Sequence, residues 1–141
     1  AALRLRRRHR MLVVKAHWFR FPTPAGVELP EEEWRHGLHG GALETAMMMH
    51  LRPKSVRTDR IRHFHSLGRE LERMLDRLGP ECAASFAWEA HDLNPEGVTG
   101  DATLATAELG STLVEGYGSV LAEILQDARS FPIGRLERVS E

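Results

Sequence analysis

Between Trp34 and Pro53 the sequence WRHGLHGGALETAMMMHLRP sets His36, His39, Glu44 and His50 in a run that is otherwise small or apolar. Imidazole and carboxylate are the groups that move protons or hold metal ions near neutral pH. Residues 42–51 read as one short buried helix, apolar on nearly every face. A charge in such a helix is costly unless something pairs with it or binds it, which makes Glu44 the first residue to question. Gly40 and Gly41 let backbone or ligand approach closely at the helix start. His39, just before them, sits at the positive end of the helix dipole, where imidazolium is disfavoured. A neutral imidazole is what a base or a metal ligand needs.

The flanking elements must position these groups. Met11–Trp18 (MLVVKAHW) reads as a buried strand of a parallel sheet. Sites in open α/β sheets form beyond the carboxyl ends of strands, so Trp18 is a candidate wall for a flat ligand. Phe21–Pro30, with three prolines and a glycine, is a loop, and Glu31–Glu33 form a short acidic turn leading to Trp34. After Pro53 comes a polar connection; the H-x-H of His63 and His65, on a loop with no other ligands nearby, reads as solvated. A helix is expected over residues 66–78, with Leu67, Leu71, Met74, Leu75 and Leu78 on one face, stopped by Gly79-Pro80. Residues 83–90 suit an edge strand or lid. Asp101 is a good N-cap for a last helix over residues 102–129, whose core face is Leu109, Leu113, Tyr117, Val120, Leu121 and Ile124. Gly110, Gly116 and Gly118 on that helix imply close approach of another element, since each costs on the order of 1 kcal/mol relative to Ala.

A chain of 141 residues, 42% hydrophobic and 28% charged, is ordinary for one soluble globular domain. The net charge of -1 implies no obligate polyanionic partner, so nucleic acid is not expected. Five arginines within the first ten residues read as a solvated helix face or an exposed end. With Cys82 as the single cysteine there is no disulfide framework, and no signal peptide or membrane-length apolar run is present; a cytoplasmic location is the expectation.

The string HGGALETAMMMHLRP resembles the H-x-G-x-x-E-T-S-x-M-x-L-x-x-x-P segment of the creatininase (creatinine amidohydrolase) family. FAWEAHDLNPEGVTGDATLATAELG, residues 86–110, is similar to that family's closing D-L-x-P-x-G-x-x-G-D-x-T-L-A-T-A-E-x-G pattern. The resemblance runs from about Met11 onward. It implies an α/β fold, a three-layer α/β/α sandwich with a mainly parallel sheet, of which this chain supplies the C-terminal part. The family's E-x-H-G and N-G-H motifs, which carry most of its metal ligands, do not occur in these 141 residues.

What the resemblance implies is a metal-dependent hydrolase acting on a C–N bond of a small, in some members cyclic, amide. The divalent metal would be zinc, with manganese, magnesium or iron as alternatives, liganded mostly by residues absent from this chain. His39 matches the proton-transfer position, and Glu44 a metal-ligand position or one that orients a ligand. Trp18, Trp34 and His36 are the candidate substrate-binding residues. Trp34 lies one residue further from His39 than the family's tryptophan, a departure that bears on whether creatinine itself is the substrate. A homo-oligomer, hexameric by resemblance, is expected, and the isolated chain is expected to be inactive. The alternative function is a non-catalytic binding or assembly module derived from the family.

Overall fold

The computed structural model describes residues 1–136. Their secondary structure is mixed: six α-helices and four two-residue strands, the strands forming two separate pairs. The chain divides into two compact units, Pro24–Val114 on one hand and Ala1–Thr23 with the segment from Glu115 onward on the other.

The unit Pro24–Val114 carries Trp34, His36, His39, Glu44 and His50. It holds α2 (Glu31–His36), α3 (Ala42–Leu51), β1 (His63–Phe64), α4 (Leu67–Glu72), β2 (Leu78–Gly79), β3 (Ala84–Ser85), α5 (Ala90–Leu93), β4 (Gly100–Asp101) and the start of α6 (Ala107–Ser130). Three glutamates open α2 and Arg35 stands in its last turn, each charge placed against the favourable end of the helix dipole. β1 pairs antiparallel with β4, His63 facing Asp101 and Phe64 facing Gly100. β2 and β3 pair in parallel. The apolar core is made of small residues and a few large ones: Ala42, Ala46, Phe64, Leu93, Ala102, Ala105 and Leu113. Gly110 lets α6 lie against α3, since a Cβ there would stand 2.0 Å from the Ala46 carbonyl oxygen.

The other unit begins with α1 (Ala2–His9), which buries none of its residues and ends at Arg10 with φ 51°. Its centre is aromatic. Tyr117 is buried, with Trp18 at 5.6 Å and Phe21 at 6.1 Å between ring centroids, and burial pushes the Tyr117 hydroxyl pKa up. Within this unit the far part of α6 leaves Leu121 and Leu125 exposed.

Several expectations change. Met11–Trp18 is not a strand among the described residues; it is irregular chain ending in a 3₁₀ turn at Trp18–Arg20, with Met11 and Val14 exposed. β-branched residues hold a strand only where a neighbouring strand takes their hydrogen bonds, and here none does. The mainly parallel sheet is likewise not seen among the described residues. Helix α3 has the expected bounds, but it is buried only along Ala42 and Ala46, while Met48 and Leu51 face solvent. The acidic turn at Glu31–Glu33 is the first turn of α2. Helix α4 spans six residues rather than thirteen, because Met74, Leu75 and Leu78 are exposed and no packing face extends it. Asp101 does cap a helical turn, accepting from the Thr103 N–H, but that turn is the 3₁₀ segment Ala102–Leu104, and α6 starts five residues later than expected.

Candidate functional site

His39 is positioned by Thr99. The Thr99 N–H donates to the His39 carbonyl (2.8 Å), and the Thr99 hydroxyl oxygen accepts from the N–H groups of Leu38 and His39, both at 3.1 Å. Thr99 itself is fully buried, so it grips the backbone of His39 from inside the fold. Gly40 follows with φ 70°, a left-handed turn that a side chain would strain, and its carbonyl accepts from the Thr45 hydroxyl (3.0 Å). That turn brings Glu44, in the first turn of α3, back toward His39. Glu44 Oε2 stands 3.5 Å from His39 Nδ1 and accepts a hydrogen bond from the Gly40 N–H. Both side chains are open to solvent on one side, His39 57% and Glu44 38% exposed, so Glu44 is not the buried charge expected. Half exposure follows from the one-sided burial of α3.

A carboxylate that the sequence does not single out lies beneath this pair. Glu33 is 4% exposed, and its two oxygens accept from the N–H groups of Ala42 and Asp101, each at 2.6 Å. Glycines surround it: a Cβ at Gly37 or Gly41 would fall within 2.4 Å of Glu33 Oε1, and one at Gly100 within 2.8 Å. Burial pushes the Glu33 carboxyl above its usual range; the two backbone donors oppose that rise, the Asp101 charge adds to it and His63 lowers it. Glu33 thus ties α2, the start of α3 and β4 into one frame under His39. The signal available in the sequence was the spacing of the glycines, Gly37, Gly41 and Gly100, rather than anything about Glu33 itself.

The other expected residues make contacts of their own. Trp34 sits on α2, 38% exposed. His36 turns to Glu72, with Nε2 3.1 Å from Oε2, and Glu72 also meets Arg35. Burial, then the nearby Arg35 charge, lowers the His36 pKa below 6.5 against the opposing charge of Glu32. Trp18 belongs to the other unit, where its ring packs on Tyr117. His50, one turn beyond Ala46 on α3, is exposed, with its Cβ against Gly110 of α6.

His39 and Glu44 present two donors, short of the three protein ligands usual at a catalytic zinc, so they alone do not fit a catalytic metal. Among the described residues, one group brings three such donors together. One ligand atom each from Glu32, His63 and His65 lie within 4.8 Å of one another. The solvated H-x-H expected from the sequence therefore does have a further ligand nearby, supplied by α2.

No helix among the described residues is long and apolar enough to cross a membrane. No curated protein and no solved structure matches the chain. The model of the creatininase family, described as creatinine amidohydrolase, matches residues 1–125, which takes in the basic α1 as well as the two motif blocks. With most of its length matched, and with the H-G-G-x-x-E block folding His39 onto Glu44, the chain belongs to the creatininase family of amidohydrolases.

Proposed function

We propose that this chain supplies the C-terminal share of a metal-dependent amidohydrolase that cleaves a C–N bond in a small amide, with His39 as its proton-transfer group. The observation that carries this reading is the placement of Glu44 Oε2 3.5 Å from His39 Nδ1. A carboxylate on that side favours a proton on Nδ1 and leaves Nε2 to exchange protons with substrate. His39 Nε2 would take the proton of the attacking water and return it to the leaving nitrogen, while Glu44 steadies the transient imidazolium. Thr99 and Gly40 fix the ring's starting point, so little ordering remains to be done when substrate arrives. A divalent cation, when bound, polarises the amide carbonyl and acidifies water. Zinc is the first candidate, with manganese, magnesium or iron as alternatives, and its ligands would come mostly from E-x-H-G and N-G-H segments outside this sequence. No step of His39 or Glu44 depends on which metal it is. Trp34 and His36, on α2, would shape the pocket, and Trp18, in the other unit, is a further candidate for binding substrate.

This reading also places the chain in the family's three-layer α/β/α sandwich, in a homo-oligomer such as a hexamer, in the cytoplasm. Support for self-association comes from Leu121, Leu125, Phe131 and Ile133, apolar and exposed. One observation favours the alternative, a binding or assembly module without chemistry: Glu44 already has a structural task in accepting the Gly40 N–H at the start of α3. Hydrolysis of a panel of small linear and cyclic amides and formamides by the complete assembly separates the two. The enzyme reading expects turnover that falls with His39→Ala; amide binding without turnover would overturn it.

A further inference from the structure

We propose that Glu32, His63 and His65 form a binding site for a divalent transition-metal ion, separate from the His39–Glu44 pair and independent of the amidohydrolase reading. His63 opens β1 and His65 follows its last residue, an alternate spacing that sets both rings on one side. Their rings stand 4.3 Å apart between centroids, and Glu32 completes a set of three donors within 4.8 Å. Around a zinc ion, ligand atoms about 2.0–2.2 Å from the metal lie roughly 3.4 Å from one another. The set must therefore contract by roughly 1.4 Å, which rotation of the exposed histidine side chains can supply.

The backbones beneath are anchored on both sides. His63 is paired with Asp101 in the β1–β4 ladder, and the His65 carbonyl accepts from Asn94 Nδ2 at 2.9 Å. Arg69 Nη1 lies 2.7 Å from Glu32 Oε1, which restrains the carboxylate and leaves its second oxygen outside that ion pair. Asp101 brings a second carboxylate 3.8 Å from His63 Nδ1, adding negative charge that favours a cation and a partner that orients the ring. Two imidazole nitrogens with one carboxylate oxygen select zinc, cobalt(II), nickel or copper over magnesium and calcium, which ask for oxygen alone. Three protein ligands leave at least one position for water or for a small anionic ligand.

The test is a titration of the purified, tag-free 141-residue chain with cobalt(II), followed by zinc competition. The site predicts one equivalent of cobalt with visible ligand-field absorbance, displaced by zinc. His63→Ala and His65→Ala should each weaken zinc by about a hundredfold, and Asp101→Asn by about tenfold. His39→Ala and Glu44→Gln should leave the affinity unchanged. Absence of stoichiometric binding overturns the proposal, as does binding that survives loss of both His63 and His65 or that disappears with His39→Ala. Should a histidine variant fail to fold, imidazole NMR of the unaltered chain decides: zinc must shift the signals of His63 and His65 before those of His36 and His39, and the opposite order refutes the site.

Discussion

Alanine substitution at two glycines of α6, Gly110 and Gly118, adds the same methyl group to one helix and should move stability in opposite directions. At Gly118 a Cβ meets nothing within 4 Å. Gly118→Ala then shows only the helix-propensity gain, about 0.8–1 kcal/mol. At Gly110 the new atom would stand 2.0 Å from the Ala46 carbonyl oxygen, 2.6 Å from its carbon and 2.9 Å from His50 Cβ. An ordinary carbon–oxygen contact is about 3.3 Å, so α3 and α6 must part by more than 1 Å at their tightest point. Two of the three obstructing atoms are backbone, which no rotamer change can move aside. Overpacking of this kind costs typically about 1–3 kcal/mol, and a backbone clash belongs at the upper end. Net of the propensity gain, Gly110→Ala should lose about 2 kcal/mol, a gap of roughly 3 kcal/mol from Gly118→Ala. Urea denaturation of both variants and the parent measures it, provided the slopes agree. If Gly110→Ala stabilises as much as Gly118→Ala, the packing of α6 on α3 described above is wrong.

Three further outcomes are expected. Glu33→Ala strands the N–H groups of Ala42 and Asp101 and should cost on the order of 3 kcal/mol in urea denaturation, and a loss under 0.5 kcal/mol would show that Glu33 does not hold the frame. His36 is less readily protonated folded than unfolded, so the unfolded chain takes up its proton first as pH falls below about 6.5. Its contribution is present above that pH and is lost as pH falls through the lower folded value; in His36→Gln the decline of the urea midpoint between about pH 7 and pH 5 should flatten, and an unchanged decline would count against this. In the complete assembly, His39→Ala should lower turnover by about 2 to 4 orders of magnitude with metal content unchanged, and Glu44→Gln should slow turnover while leaving the fold intact; full activity in both would remove this pair from the chemistry.

The parts legible in the sequence were those set by neighbours in the chain. Helix α3 and its bounds followed from the glycines before it and the apolar run within it, and the meeting of His39 with Glu44 needs only the tight turn at Gly40. Asp101 was legible as a cap because its acceptor serves a residue two positions on. What escaped depended on partners far along the chain. The Met11–Trp18 run has strand-forming residues, yet a strand exists only if another pairs with it, and that information is not local. His63 and His65 looked isolated because their third donor, Glu32, lies some thirty residues earlier and is brought near by folding. Glu33 was hidden among three successive glutamates that differ only in which way the first turn of α2 faces.

The glycine setting of Glu33 has a consequence for how this segment can vary. Gly41 is closed to a side chain chiefly by the Glu33 carboxylate, Gly37 and Gly100 by backbone as well, and position 33 is held to glutamate while Ala42 and Asp101 need their acceptor. The four positions are therefore expected to vary together: a mutagenesis library that samples them singly should meet mostly losses. A functional departure would require at least two simultaneous exchanges, a shorter acceptor at 33 together with a small side chain at 41. Recombination that separates residue 33 from residue 100 would be penalised even between two well-folded parents, unless both carry the same set.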